Sequence, residues 1–335
     1  MPGKIIFLNL AKRIGRLLIV AVITIALCKV TSFGWKFWSG SPLFRMADNN
    51  DVEERLKSHV YKLSEEIGDI NFYNLKGLEE AADYISGQFA SYGYKVEFQT
   101  YEINGIKVKN IIAVKKGAKN PDRFIVVGAH YDNYFNPGAD DNASGVAGLL
   151  EIARLAADCN SPDSIRFVAF VNEEPPFFKT ANMGSRVYAG AMRLKGEDIK
   201  GGIILEMIGY YSNKPFSQRY PPVFGLFYPN KGNFIGVLAN FNSWQLAKEV
   251  ASGLKRRAQL PVESVVTFDF IGGIDFSDNG SFWKEGFPSV MVTDTASYRS
   301  KYYHTQSDTY DTLNYKAMAE VVRGICFALG EIDKK

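Results

Sequence analysis

The chain has 335 residues, of which 46% are hydrophobic and 22% are charged, a composition that excludes a disordered chain or a coiled coil. The net charge of +3 comes from 39 basic and 36 acidic residues, but residues 1–46 hold seven of the basic ones and none of the acidic ones. The rest of the chain therefore carries 32 basic against 36 acidic residues, or −4, so we expect no nucleic-acid partner.

Three cysteines and three histidines limit the side-chain chemistry that is available. The cysteines are too few and too scattered for a disulfide framework or a thiolate zinc site. Any histidine-based site must draw on His59, His130 and His304. We expect His59 to be a surface or partly packed residue, because no second metal-binding residue accompanies it at ligand spacing.

Residues 1–46 predict a membrane-targeting segment with its linker. A basic start is followed by a mostly apolar run over residues 17–28 and then by an aromatic and basic stretch. This pattern predicts an uncleaved signal anchor, with a cleaved signal peptide, a lipoprotein on Cys28 and a buried helix as alternatives. With the basic start in the cytoplasm, the domain at 47–335 lies outside it, either membrane-anchored or secreted.

The remaining chain alternates between helical and strand patterns, which predicts an α/β sheet with helices on both faces. Apolar residues over 52–67 recur at helical spacing, and Asn104-Gly105 marks a hairpin turn. The further predicted elements are helices at 78–92, 143–157, after 183, 244–257 and 315–329, and strands at 94–101, 106–114, 123–129, 165–171, 203–207, 265–270 and 289–293.

The stretch 210–240 departs from this alternation. It is rich in proline, glycine, tyrosine and phenylalanine and has no clear period. Long connections of this kind are usually functional, so we predict a structured insertion near a binding surface.

Polar residues follow three of the predicted strands at their carboxyl ends, where open α/β sheets bind ligands. Asp141 lies in a glycine-bounded loop that opens a helix, and His304 lies ahead of the last helix. Two histidines and several carboxylates without a thiolate suit zinc or a similar divalent metal. No H-E-x-x-H sequence is present, which excludes the common helix-borne protease site. The residues at these strand ends are His130 and Asp132, Glu173 and Glu174, and Glu206, which follows the apolar residues 203–205.

Each of these residues also has an ordinary structural interpretation. Asp140, Asp141 and Asn142 fit a helix cap, and Glu173-Glu174 fits a solvated pair at a strand end. His130 fits a core histidine, Glu206 a buried acid with a partner, and His304 a surface loop. Five such coincidences are needed together, so we favour a metal site.

At these positions the sequence resembles the M28 peptidase family of zinc-dependent aminopeptidases and related exopeptidases. The resemblance runs from about residue 50 to the end, with the motifs in order and at family-like spacing. It implies a three-layer α/β/α sandwich around a mixed, mostly parallel sheet, with two zinc ions bridged by an aspartate and a water. The segments that carry it are GAHYD at 128–132, PGADDNASG at 137–145, NEEPP at 172–176, LEMIG at 205–209 and YHT at 303–305.

The resemblance also implies which side chains hold the metals. Asp141 bridges the two zinc ions. His130 and Glu206 complete one of them. Glu174 and His304 complete the other.

Three further residues have implied roles beside the metals. Glu173 fits the general base, because Glu174 is held by metal while its neighbour remains free. Asp132 resembles the family carboxylate that takes the other imidazole N–H of His130 and so orients it. Tyr303 resembles a tyrosine that donates to the developing oxyanion in some members.

Two departures from the family pattern bear on this site. The archetypal aminopeptidases have aspartate where this chain has Glu206, and the longer side chain can still bind zinc. Where the family often has Ser-Asp-His, this chain reads Ser277-Asp278-Asn279. That change keeps the metal ligands and alters their surroundings.

The implied activity is hydrolysis of the first peptide bond of peptides with a free amino terminus. A single-zinc glutaminyl cyclase and a non-catalytic receptor-like domain are the alternatives, and two, one or no zinc ions per chain would separate the three. An exopeptidase acting at the carboxyl end would need a cation for the terminal carboxylate. Arg186, Arg219 and Arg299 are candidates, although we expect each to be a solvated surface residue.

Overall fold

The computed structural model describes residues 49–222 and 224–332. The predicted membrane-targeting segment at 1–46 lies outside these ranges. Within them, no helix combines the length and the apolar character that are needed to span a membrane.

Eight strands form one mixed sheet in the described part of the chain. They are β1 (Val96–Ile103), β2 (Ile106–Lys115), β3 (Asn120–His130), β4 (Asp163–Phe170), β5 (Asp198–Glu206), β6 (Ile235–Asn240), β7 (Val262–Thr267) and β8 (Ser289–Thr293). Their order across the sheet is β1-β2-β4-β3-β5-β8-β6-β7. Each neighbouring pair in the series β4-β3-β5-β8 is parallel. Strand β6 pairs antiparallel with β8 and parallel with β7. The carboxyl ends of β3, β4, β5 and β8 therefore share one edge of the sheet.

Helices cover both faces of this sheet. They are α1 (Asn49–Tyr61), α2 (Leu75–Ser91), α3 (Gly145–Ala156), α4 (Gly184–Leu194), α5 (Trp244–Arg257), α6 (Asn279–Lys284) and α7 (Tyr315–Ile332). The large core on one face takes its apolar side chains from α1, α2, α3, α5 and α7. A smaller core on the other face lies under α4 and α6. The predicted α/β fold, with a mixed sheet and helices on both faces, is confirmed.

Strand β6 is absent from the predicted elements because its six residues follow directly on the irregular stretch 210–234. The predicted insertion is therefore shorter than expected and ends where β6 begins. The insertion therefore comprises the described residues 210–222 and 224–234. Helix α6 was also not predicted, since six residues are too few to show a helical period.

Arg299 attaches the insertion to the rest of the domain. Its Nε donates to Gln218 Oε1 at 2.9 Å and its Nη1 donates to the Tyr210 carbonyl at 3.2 Å. The guanidinium also lies over the ring of Phe234, 4.6 Å from the centroid. Arg299 is 5% exposed, so the expectation of a solvated surface arginine is wrong at this position.

His59 is buried between α1 and its neighbouring helices. Its Nδ1 lies 2.7 Å from the Tyr84 hydroxyl and its Nε2 lies 3.5 Å from Glu151 Oε1. The side chain is thus more enclosed than the sequence suggested. Its partners are structural, which leaves the other two histidines for metal chemistry.

Candidate metal centre

Five side chains of the predicted metal site converge at the carboxyl edge of the parallel strands. His130 ends β3, Glu206 ends β5 and Glu174 follows β4. Asp141 lies in the helical turn Ala139–Ser144 ahead of α3, and His304 lies in the loop before α7. The chain therefore brings together residues that are up to 174 positions apart.

These side chains form two groups that share Asp141. In the first, His130 Nε2 lies 3.4 Å from Asp141 Oδ1 and 3.3 Å from Glu206 Oε2. In the second, His304 Nε2 lies 3.1 Å from Asp141 Oδ2 and 3.2 Å from Glu174 Oε1. Each group has the composition of a metal site, with its three potential ligand atoms within 4.8 Å of one another. Asp141 thus offers one carboxylate oxygen to each group.

The atoms of these groups fit zinc. Two of them, Glu174 Oε1 and His304 Nε2, are buried and have no hydrogen-bond partner in the described structure. Ligand atoms around a tetrahedral zinc, with bonds of about 2.0–2.2 Å, lie about 3.3–3.6 Å apart, close to the distances found here. Imidazole nitrogen and carboxylate oxygen are ligands that zinc accepts. The site can therefore hold a cation in each group.

Charge interactions within the second group shift the pKa values of its members. Burial opposes the charged imidazole, but the carboxylates of Asp141 and Glu174 raise the pKa of His304 to about 10. Burial and the charge of Asp141 raise the pKa of Glu174 to about 8. Burial disfavours the charged form of Asp141, yet the two imidazoles lower its pKa to about 2. A cation that binds here must displace protons from His304 and Glu174.

The backbone carbonyl of Asp132 fixes the orientation of His130. This oxygen lies 3.0 Å from His130 Nδ1, whereas Asp132 Oδ1 lies 3.6 Å from the same nitrogen. The carboxylate instead accepts the backbone N–H groups of Glu173 and Glu174, each at 3.0 Å. Because a carbonyl oxygen can only accept a hydrogen bond, Nδ1 carries the proton, and the lone pair of Nε2 is free to bind a metal. Asp132 therefore positions both His130 and the adjacent glutamates.

Glu173 lies beside both groups without belonging to either. It is 5% exposed, and its carboxylate makes no hydrogen bond in the described residues. Burial raises the pKa of Glu173 well above its ordinary value; His130 opposes this shift, and the charges of Glu174 and Glu206 reinforce it. A carboxylate with raised proton affinity and no fixed partner can take up and release a proton.

Tyr303 lies against the second group. Its ring is stacked on His304, with 3.8 Å between the centroids, and it lines a cavity together with Glu206. Tyr134 stacks on the same imidazole, 4.3 Å from it. The two tyrosines restrict the rotation of His304. Sequence reasoning missed Tyr134, because nothing in its local pattern indicates contact with a residue 170 positions later.

Two further supporting contacts, made by Asp308 and Ser277, were not predicted from the sequence. The carboxylate of Asp308 accepts the backbone N–H groups of Asp140 at 2.9 Å and of Asp141 at 3.1 Å. The hydroxyl of Ser277 donates to Glu206 Oε2 at 2.7 Å. Both are single residues in loops that only the folded chain brings to the site. Each one fixes a proposed ligand in place.

The polar residues that follow Ser277 support the adjacent structure. Asn279 Nδ2 donates to the Ile274 carbonyl at 2.8 Å and so connects α6 with the loop before it. Asp278 is buried, and desolvation raises its pKa to about 7.

The helix-cap interpretation also applies in part, because Asn142 Oδ1 accepts the Gly145 N–H at 3.1 Å.

Comparison with known proteins decides the family. Residues 110–329 match the sequence model of Peptidase family M28. The chain belongs to peptidase family M28. It is 42% identical to "Uncharacterized protein YfbL" of Escherichia coli K12, over 81% of this chain and 86% of that protein. It is 27% identical to a "Probable leucine aminopeptidase" of Arthroderma otae, over 72% of this chain and 60% of that protein's length.

Two solved structures show a fold similar to that of this chain. A zinc aminopeptidase from Bacillus subtilis superposes with a TM-score of 0.66 and 16% identity, over 83% of this chain and 94% of that one. A Bacteroides thetaiotaomicron glutaminyl cyclase gives a TM-score of 0.63 and 18% identity, over 85% and 98%. At these identities the likeness concerns the fold. The match to the family model over residues 110–329 confirms the resemblance drawn from the sequence motifs.

The pKa values predict a pH-dependent affinity for zinc. We expect the affinity to rise between pH 6 and pH 8, since His304 and Glu174 hold protons below about 10 and about 8 that zinc must displace. Each displaced proton changes the affinity by about tenfold per pH unit. Competition with a chromogenic chelator, corrected for the chelator's own titration, measures this. An affinity that is constant over this range would contradict the proton displacement.

Proposed function

We propose that this protein is a two-zinc aminopeptidase that releases the first residue of peptides. The observation that carries the proposal is the pair of ligand groups that share the two oxygens of Asp141. His130 and Glu206 would complete one zinc, and Glu174 and His304 the other. Membership of family M28 supports a metallopeptidase, and the relatives named as leucine aminopeptidases support action at the amino end.

The chemistry divides between the metals and the chain. Zinc, when bound, polarises the substrate carbonyl and lowers the pKa of water. Glu173 takes one proton from the attacking water as the new C–O bond forms. It then delivers that proton to the leaving nitrogen as the C–N bond breaks. The proton taken from the water thus ends on the product amine, and Glu173 is again a carboxylate.

Tyr303 and the buried surroundings complete the proposed site. The Tyr303 hydroxyl is proposed to donate to the oxygen that becomes negative during attack. Burial raises the pKa of Tyr303 above its ordinary range, with Asp141 and Glu174 adding to the shift, so the phenol keeps its proton. A protonated phenol can act as a donor throughout the reaction.

The glutaminyl cyclase alternative rests on the fold neighbour of that activity and on a single zinc ion. A single-zinc enzyme needs only one of the two ligand groups. Here both groups are complete, which favours the two-metal hydrolase. It also disfavours a non-catalytic binding domain, in which we expect ligands to be lost.

Replacing each of the two adjacent glutamates with glutamine tests their separate roles. We expect Glu173→Gln to keep two zinc ions per chain and lose at least about a hundredfold in kcat, the scale of a general base. Glu174→Gln, the matched control, should lose zinc instead, because Glu174 belongs to a ligand group. Metal analysis and turnover of an aminoacyl p-nitroanilide measure both effects. A fully active Glu173→Gln protein would remove the general base from this proposal.

Blocking each end of a peptide substrate tests the polarity of cleavage. The clustered carboxylates and the two cations suit a free amine, so we expect acetylation of the amino terminus to abolish cleavage. Amidation of the carboxyl terminus should have little effect. Mass spectrometry of the products distinguishes the two cases. The opposite pattern would assign the activity to the carboxyl end, where Arg186 or Arg219 could bind the terminal carboxylate.

We further propose that residues 1–46 hold the catalytic domain, residues 47–335, at the outer side of a membrane. The basic start and the apolar run at 17–28 support this proposal. Protease added to intact cells should digest the domain while a cytoplasmic marker survives. Protection of the domain in intact cells, with digestion only after lysis, would place it inside.

A further inference from the structure

A cavity of about 120 Å³ extends from the candidate metal centre over the second face of the sheet. Glu206 and Tyr303 line it on the metal side, and Glu263 of β7 lines it as well. The insertion and the loop at 271–276 supply much of the remaining lining. The cavity occupies the part of this face that extends beyond the core under α4 and α6. A side chain of a substrate held at the metals can therefore enter it.

The strand register relates Glu263 to the metal centre. Glu206 on β5 is paired with Thr293 on β8, which is paired with Gly236 on β6, which in turn is paired with Glu263 on β7. Neighbouring strands lie about 4.7–4.9 Å apart, so three steps separate the two glutamate Cα atoms by about 14 Å. The two acids thus stand in one row across the sheet.

Gly236 keeps this row open between the two acids. A Cβ at this position would lie 3.1 Å from Leu238 Cδ1 and 3.2 Å from the Thr293 carbonyl. Because glycine has no side chain, the cavity can pass over β6 toward β7. Apolar side chains flank this path and suit a long aliphatic stem; they include Leu238, Val265, Phe276 and Met291.

Glu263 has no partner in the described structure that would satisfy its charge. Among residues 49–222 and 224–332, none donates a hydrogen bond to its carboxylate, and no lysine, arginine or histidine nitrogen lies within 4.0 Å of it. Burial raises the pKa of Glu263, and the more distant Lys255 lowers it only in part. A partly desolvated carboxylate without a partner is unfavourable, whereas a cation that enters the cavity would form a charge-assisted hydrogen bond with it.

Arg219 is the cation in the described cavity lining, and it does not neutralise Glu263. It is exposed, and its Nη2 donates to the Ser297 carbonyl at 2.6 Å. The acidic end of the cavity is therefore available to a cation from outside.

We propose that Glu263 determines specificity by binding the ammonium or guanidinium group of a lysine or arginine at the first position of the peptide. The apolar path would hold the aliphatic stem, and the carboxylate at β7 would hold the charge. This inference rests on the proposed aminopeptidase activity and assigns the substrate class of that same site. Glu263 acts on the substrate side chain and takes no part in bond breaking.

Lysine and norleucine p-nitroanilides test the inference, because norleucine has a similar aliphatic stem but no ammonium group. We expect kcat/KM of the zinc-loaded enzyme to be at least about tenfold higher for lysine, the scale of a hydrogen bond to a charged group. Glu263→Gln should remove that advantage and leave norleucine cleavage within about twofold. Asp269→Asn is the control, since Asp269 is exposed and absent from the cavity lining.

Binding without turnover gives a second readout. In the Glu173→Gln background, calorimetry should show lysinamide binding more tightly than norleucinamide. Adding Glu263→Gln should make the two ligands equal. Norleucine turnover and zinc content of the single variant show whether it is folded, so a loss confined to lysine cannot come from unfolding.

The outcomes separate this inference from the proposed function. The inference is overturned if the unmodified enzyme cleaves the lysine and norleucine p-nitroanilides equally well. It is also overturned if Glu263→Gln leaves the ratio of their kcat/KM values unchanged. In both cases the proposed aminopeptidase activity still stands. Best cleavage of a glutamyl substrate also overturns the inference and points to Arg219. If no unblocked aminoacyl substrate is cleaved by zinc-loaded protein, the proposed function fails and the specificity assignment fails with it.

Discussion

The arrangement of the site depends on the two oxygens of one buried carboxylate. Asp141 is 2% exposed, and each of its oxygens faces a different histidine, 3.4 Å from His130 and 3.1 Å from His304. Such a position requires the backbone to be held as firmly as the side chain. Asp308 does this by accepting the Asp141 N–H, and Asn142 does it by donating to the Leu205 carbonyl at 2.9 Å. The bridging position is thus built from the sheet edge and the start of α3 together.

Concentrating carboxylates at this edge is electrostatically costly. Glu173, Glu174 and Glu206 all have raised pKa values, each chiefly through burial and in part through carboxylates nearby. Removing carboxylates from water is unfavourable unless cations or hydrogen-bond donors compensate. Backbone N–H groups and Ser277 supply some donors, and two divalent cations would supply the remaining compensation. Metal binding and folding stability are therefore expected to be coupled in this protein.

Much of the fold and the ligand set could be predicted from the sequence because both depend on local patterns. Alternating apolar segments define the sheet, and His130, Glu174 and Glu206 lie at or after strand ends. The resemblance to family M28 indicated the roles of all five candidate ligands. The remaining features depend on tertiary contacts that no local pattern records. The carbonyl of Asp132 faces His130 Nδ1, a backbone contact that residue types do not reveal. Arg299 is buried because Gln218 and Phe234 of the insertion contact it. Strand β6 could not be predicted because it is short and lies at the end of an irregular stretch.

The two halves of the sheet divide the proposed work between them. The parallel strands β3, β4 and β5 bring their carboxyl ends to the two candidate ligand groups, so the proposed reaction depends on that edge. Strand β6 runs antiparallel to β8, which brings the beginnings of β6 and β7, with Gly236 and Glu263, to the same edge. On the face opposite α5, the insertion covers this second half in place of a helix and leaves a cavity. Substitutions in the insertion or on β7 can therefore alter the choice of substrate while His130 on β3 and Glu206 on β5 stay in place.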